Sequence, residues 1–174
     1  MVDTIKQLLT NQLEASLCTL HACVERCPDA LWHAQVARYP FCQTAFHTLF
    51  FTDVYLGQDP EELQHQPYHL VNQALFADYE QMQDREPVTL YEREQIRSYL
   101  QFCRAKAVAT IDRETAETLS EACRFPRRNC SRVELHVYNI RHIQHHAAQL
   151  ILRLRQETNV DIPWMGHGWR NVTS

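Results

Sequence analysis

Apolar residues recur at spacings of three and four through most of this chain and almost nowhere alternate with polar ones. Between residues 2 and 27, Ile5, Leu9, Leu13, Leu17, Leu20, Val24 and Cys27 make one stripe, the pattern of an amphipathic helix with a single buried face. Pro28 and Asp29 end it. A second helix is predicted from about Phe41 to Leu56, with Phe46, Leu49, Phe50 and Tyr55 among its apolar positions and a stop near Gly57. Residues 57–69 read as a connection, followed by a shorter helix from about Leu70 to Met82 that breaks before Pro87. Thr89-Leu90-Tyr91-Glu92 has the form of a capping box and opens a helix to about Asp112 through Ile96, Tyr99, Leu100, Cys103 and Val108. Thr115 to Cys123 either extends that helix or forms a separate turn. After a break at 125–129, Ser131-Arg132-Val133-Glu134 is a second capping box, and the helix it opens ends near Glu157.

Four long amphipathic segments of this kind predict an all-α fold, a four-helix bundle with an additional short helix. Its 174 residues fit a single domain spanning 1–174. The long middle connection leaves the order of the helices open. Three glycines, Gly57, Gly166 and Gly168, are too few for the turns of a many-stranded protein. The tail carries Pro163, Trp164 and Trp169 and is expected to be a C-terminal strap that lays aromatic side chains on the bundle.

Composition narrows the class. The chain is 45% hydrophobic and 22% charged, which sets aside disorder, and no apolar run approaches the roughly 20 residues of a spanning helix. The N-terminus lacks the basic region and apolar stretch of a secretory signal, so the expected compartment is the cytoplasm. Net charge is −4, divided unevenly: residues 1–87 carry 4 Lys/Arg against 12 Asp/Glu, and residues 88–174 carry 13 against 9. An acidic front half packing on a basic back half, within a monomer or across a homodimer, accounts for this without a nucleic-acid or membrane partner. Seven scattered cysteines without a CxxC motif read as reduced, mostly buried thiols. Cys18, His21, Cys23 and Cys27 are crowded, but their spacing matches no finger or ribbon pattern.

The candidate chemistry lies in the last helix. On a wheel of about 100° per residue, Ile140, Ile143, Ala147, Leu150, Ile151 and Leu154 define its buried stripe. His142 and His146, four apart, share one margin of that stripe, where two imidazoles can chelate one ion. His145 points away from the core, and His136 sits near the stripe's centre as an ordinary core histidine. A third ligand has to come from elsewhere, and His47 on the second helix is a candidate among the chain's ten histidines. An ordinary half-exposed histidine pair would show the same spacing, and this one lacks the glutamate of the HExxH motif.

With those residues in view, the chain resembles the DinB-like superfamily of metal-binding four-helix bundles over nearly its whole length. The resemblance rests on His47 in Phe46-His47-Thr48-Leu49-Phe50-Phe51-Thr52-Asp53 and on the block His142-Ile143-Gln144-His145-His146-Ala147-Ala148-Gln149-Leu150. The turn at 28–32 and the opening at 89–92 also look like family landmarks. The resemblance implies that His47, His142 and His146 bind one divalent ion, zinc or nickel above others, with water or substrate completing its shell. Many relatives carry Arg-Gly after the last histidine, where this chain has Ala147-Ala148, which puts any role of that arginine in doubt. Characterised relatives include transferases and isomerases that use low-molecular-weight thiols, and others are described as metal-dependent hydrolases.

The resemblance therefore implies a metal-dependent enzyme, a thiol S-transferase or a hydrolase, acting on a small molecule. The alternatives are a non-catalytic metal-binding or ligand-sensing module, dimeric through exposed bundle faces, and a plain helical domain whose histidines do no chemistry. Asp53 reads as a solvated carboxylate or as a support for the metal ligands. Arg124, Arg127, Arg128 and Arg132 read as a solvated basic loop or as a holder for the carboxylates of a thiol cosubstrate.

Overall fold

The computed structural model describes residues 1–36, 38–79 and 87–169. Its four long helices are α1 (Val2–Arg26), α3 (Phe41–Leu56), α7 (Arg93–Arg113) and α9 (Arg132–Thr158). Between α1 and α3 lie a helical turn, α2 (Asp29–Trp32), and a two-strand ribbon of β1 (Gln35–Val36) and β2 (Tyr39–Pro40). The long connection holds α4 (Glu62–His65), α5 (Pro67–Val71), α6 (Gln73–Phe76) and a 3-10 turn at Ala77–Tyr79, and α8 (Ala116–Ser120) precedes α9. The fold is all-α, as the apolar periodicity predicts.

Helix α1 packs on α9 and α7, and α3 packs on the same two, so α1 and α3 face each other across the bundle diagonal. Directions follow from cross-links between side chains. Lys6 reaches the carbonyl of Asp112 while Arg97 reaches Glu25, so α1 and α7 run antiparallel. Cys103 lies on Leu49 and Lys106 on Asp53, so α3 and α7 run parallel. Arg132 reaches Leu56 while Asn139 reaches Thr52, so α9 opposes α3. The order is up-down-down-up. Two parallel neighbours require the chain to travel the full length of the bundle, about 30 Å for a 20-residue helix, between them. That is why the connection after α3 is long.

Several boundaries differ from the sequence reading. The connection at 57–69 contains α4 and the start of α5, and Pro67 at a first helical position favours that start. The helix expected from Leu70 to Met82 is broken at Asn72, whose φ of −116° and ψ of 33° leave the helical region; residues 80–82 lie outside the described residues. Helix α7 starts three residues later than Thr89 suggests, because Glu92 and Gln95 form the capping box. The second box is as read: Ser131 and Glu134 cap each other's backbone at the start of α9. Helix α9 closes on Asn159 in the left-handed conformation (φ 56°).

The core is the expected stripe. Leu9, Leu13, Leu17, Leu20 and Val24 of α1 are fully buried, each side chain stabilising the fold by about 1.5–3 kcal/mol. Ile5 is 37% exposed, because α7 ends beside Lys6 and the first turn of α1 has little beyond it to pack on. Trp32 is buried and donates to the carbonyl of Tyr91 at 2.8 Å, tying α2 to the start of α7. The tail is a strap in part: Ile162 is buried and Trp169 sits between His21 and the Arg104 guanidinium. Trp164, at 90% exposure, does not lie on the bundle.

Part of the charge asymmetry is met within the chain. Glu14 pairs with Arg104, Glu25 with Arg97, Asp29 with Arg93 and Asp53 with Lys106, each joining the acidic half to the basic half. No helix among the described residues is long and apolar enough to cross a membrane.

Candidate metal centre

Helix α3 is buried on nearly every side, and its half-exposed positions Thr44, His47 and Phe51 form a narrow strip at spacings of three and four. Helix α9 offers a matching strip of Tyr138, His142 and His146. The two strips meet where α3 and α9 run antiparallel, and this places His47 against the histidine pair. Ring centroids are 4.8 Å apart for His47 and His146, 4.7 Å for His142 and His146, and 5.7 Å for His47 and His142.

One nitrogen from each ring lies within 4.8 Å of the others. Nitrogens sharing a tetrahedral zinc at about 2.1 Å would be roughly 3.4 Å apart. Closing that difference takes side-chain rotation of about an ångström, with no change in the helices. His142 Nδ1 is buried without a hydrogen-bond partner, an orphan that a metal or its shell would satisfy. His146 Nδ1 donates to Gln149 Oε1 at 3.0 Å, which leaves the Nε2 lone pair free to ligate. Gln149 in turn lies 3.1 Å from His145 Nε2. The arrangement is compatible with metal binding, and three donors leave an ion room for an exogenous ligand.

Electrostatics keep the imidazoles in the ligating form. Burial, and then the charge a protonated His146 would carry, push His47 down to about 4. Burial, followed by the neighbouring histidines and Arg128, pushes His142 down to about 3. His146 is lowered by burial, although its Gln149 hydrogen bond opposes this. In metal-free protein the ring resonances of His47 and His142 are therefore expected to stay fixed between pH 8 and 5 in a proton NMR titration. The unfolded chain takes up these protons near about 6.5, whereas the folded chain resists until about 4 and 3. The share of the metal-free fold's stability that these two histidines carry is thus fully present above about pH 6.5 and is lost as pH drops through that window. Either ring titrating near 6.5 in folded protein would show that it is not shielded.

Removing Gln149, by Gln149→Ala, frees the His146 ring to rotate. The expected result is about a 10- to 100-fold loss of metal affinity in competition with a chromophoric chelator; unchanged affinity would remove Gln149 from the centre.

Aromatic rings form the rim. Phe51 lies 4.8 Å from His47 and 5.9 Å from His142, Tyr55 meets His142 edge-on at 6.1 Å, and Tyr79 is 6.4 Å from His47. Arg128 donates to the Tyr55 hydroxyl at 2.8 Å and covers the Tyr138 ring at 4.1 Å. Of these, only Arg128 was read in the sequence as a possible site residue, yet Phe51 and Tyr55 follow His47 at four and eight positions, and Tyr138 precedes His142 by four. Helical stacking was the signal available.

Other candidates fall elsewhere. Asp53 is neither solvated nor beside the histidines: it is fully buried and accepts from Tyr99 at 2.8 Å, Lys106 at 2.6 Å and Gln66 at 2.7 Å, a network that locks α3 to α7. His136 is a core histidine, its Nε2 2.9 Å from Glu114. His145 is exposed. Among the described residues Cys18, His21, Cys23 and Cys27 form no metal-ligand group; Cys23 and Cys27 are buried, which pushes their thiols up to about 12 and about 11. Of the four arginines, Arg132 is buried in structural bonds to α3 and Glu114 and cannot hold a cosubstrate. Arg124 and Arg127 are exposed, and Arg128 alone borders the rim.

The sequence matches a family model, the DinB superfamily, over residues 12–150. Neither a protein of curated function nor a solved structure is found similar to it.

Proposed function

The chain belongs to the DinB superfamily, and from this premise we propose that it is a metal-dependent enzyme holding one divalent ion, zinc or nickel, on His47, His142 and His146. The observation that carries the reading is the convergence of three neutral imidazoles from two helices at a half-exposed seam. Closed structural zinc sites use four protein ligands, whereas catalytic ones keep a position open. An ion of this class acidifies a water or thiol that enters its coordination sphere. The reaction is transfer of a low-molecular-weight thiol to an electrophile, or hydrolysis of a small ester or amide.

The chain's own residues shape what enters. Phe51, Tyr55 and Tyr79 offer aromatic faces to the apolar part of a substrate. Arg128, with Arg127 and Arg141, lines a cleft of about 430 Å³ that Tyr138 and Glu134 also line, and its three guanidiniums outnumber that carboxylate and offer a site to an incoming one.

The test is activity of metal-free and zinc- or nickel-reconstituted protein on two panels, thiol conjugation of electrophiles and hydrolysis of esters and amides, with and without chelator. Turnover that requires metal and disappears in His142→Ala supports the enzyme. A second reading, a metal-binding module without catalysis, is favoured by the lack of any carboxylate in the histidine cluster among the described residues. Silence on both panels by fully loaded protein decides for it.

A further inference from the structure

Cys123 and Cys130 take no part in the metal reading, yet their sulfurs are 3.5 Å apart. The backbone sets them face to face. Ala122 and Ser131 pair antiparallel, and the Cys123 N–H donates to the Cys130 carbonyl at 3.0 Å, so the two cysteines are opposed one step further in. Opposed residues joined by a ladder hydrogen bond have Cα atoms about 5.5 Å apart, inside the window of about 4.4–6.8 Å that a disulfide spans. Side-chain rotation is then enough to bring the sulfurs together.

Their surroundings differ from those of the core thiols. Cys23, Cys27, Cys42 and Cys103 are buried, whereas Cys123 and Cys130 are half-buried and enclose a loop carrying Arg124, Arg127 and Arg128. Burial, the hydrogen bond and charge of Cys123, and the nearby Glu134 carboxylate raise the Cys130 thiol, and Arg128 offsets this only in part.

We propose that Cys123 and Cys130 are a redox-active dithiol that closes to an intramolecular disulfide by exchange with a low-molecular-weight disulfide. One cysteine, as thiolate, attacks a sulfur of the small disulfide, forming a mixed disulfide and releasing one small thiol. The second thiolate attacks the cysteine sulfur of that mixed disulfide and releases the other small thiol. The two protons given up by the cysteines leave on the two small thiols; the dithiol is oxidised and the small disulfide reduced.

Closure reaches the rim of the metal centre. The Cys123 thiol lies 3.6 Å from the Arg128 carbonyl, and oxidation removes that donor from the residue that bonds Tyr55, whose ring meets His142. This consequence rests on the metal reading; the disulfide does not.

Reduced full-length protein, freed of reductant, is incubated with glutathione disulfide, quenched in acid, alkylated and digested with trypsin. The expected product has lost two of its seven alkylatable thiols and yields a linked pair of peptides, Glu114–Arg124 with Asn129–Arg132. Reduced glutathione reverses the link, and oxidation in denaturant scatters it among other cysteines. Cys130→Ser is expected to stop at a mixed disulfide on Cys123, and Cys123→Ser at one on Cys130. If both cysteines stay alkylatable in native protein at about ten-fold excess of disulfide, or each keeps a glutathionyl group without linking, the proposal is overturned. Metal affinity of the reduced and linked forms is compared separately: a formed link with identical affinities removes the coupling to the centre and leaves the disulfide standing.

Discussion

His142→Ala is expected to lower bound divalent metal from about one equivalent to less than about 0.1, measured by elemental analysis of protein without a histidine tag. His142 is the member of the cluster with a buried, partnerless nitrogen, and removing it leaves two ligands on opposite helices. Two imidazoles without a third seldom hold zinc against water and buffer. The same substitution is expected to abolish the stabilisation that metal adds, so a thermal melt of the variant should not respond to zinc. Wild-type protein that carries no metal, and whose melting point ignores zinc, would sink the metal reading outright. A protein that loads metal equally well with and without His142 would sink this ligand set. Because the metal-free cluster resists protons down to about 4 at His47 and about 3 at His142, metal release on acidification should come at lower pH than for histidines exposed to water, whose protons compete from about 6.5.

Arg132→Ala is expected to destabilise the fold by about 3–5 kcal/mol, lowering the melting temperature by roughly 10 °C or more. Its buried guanidinium bonds the carbonyls of Tyr55 and Leu56 at 3.2 and 3.0 Å and also that of Gly57, where α3 ends and leaves acceptors unpaired. On its other side Nε meets Glu114 at 2.9 Å. Burial alone would raise Glu114, but hydrogen bonds from His136, Thr118 and Arg132 hold it down to about 2. This depressed carboxylate adds stability above about pH 4.5 that is lost as pH falls towards 2. Arg132→Ala leaves three carbonyls without the guanidinium that bonds them and takes from a buried carboxylate one of its three side-chain partners. Arg132 also clamps the first turn of α9 to the last turn of α3, the two helices that carry the histidines. The variant should therefore bind metal more weakly as well as melt earlier. A loss below about 1 kcal/mol in denaturant titration would show that solvent or relaxation replaces the clamp.

Both expectations depend on features that differ in how far the sequence reveals them. The stripe of α1, the limits of α3 and the Ser131–Glu134 box were legible, because helical periodicity and capping are local and repeat within a few residues. The pairing of His142 with His146, and the dismissal of His145, followed from the same geometry. His47 was one histidine among ten, and only family resemblance made it the third ligand: nothing in spacing joins residues nearly a hundred positions apart. Asp53 shows the limit most clearly. Six residues beyond His47 it looked like a solvated carboxylate, and only the packing of α7 beside α3 reveals Lys106, Tyr99 and Gln66 around it. The breaks between 57 and 79 were missed for a related reason, since short turns are stabilised by what they pack on and carry too little sequence to show a period.

By itself, the sequence determined that the chain is helical, where its four long helices run, and which histidines of the last one share a face, since each of these is decided by the 3.6-residue repeat. Only the tertiary structure decided the up-down-down-up order, the meeting of His47 with His142 and His146, the burial of Asp53 and Arg132, and the approach of Cys123 to Cys130. Those depend on contacts between distant segments, and such contacts leave no periodic trace in a single chain.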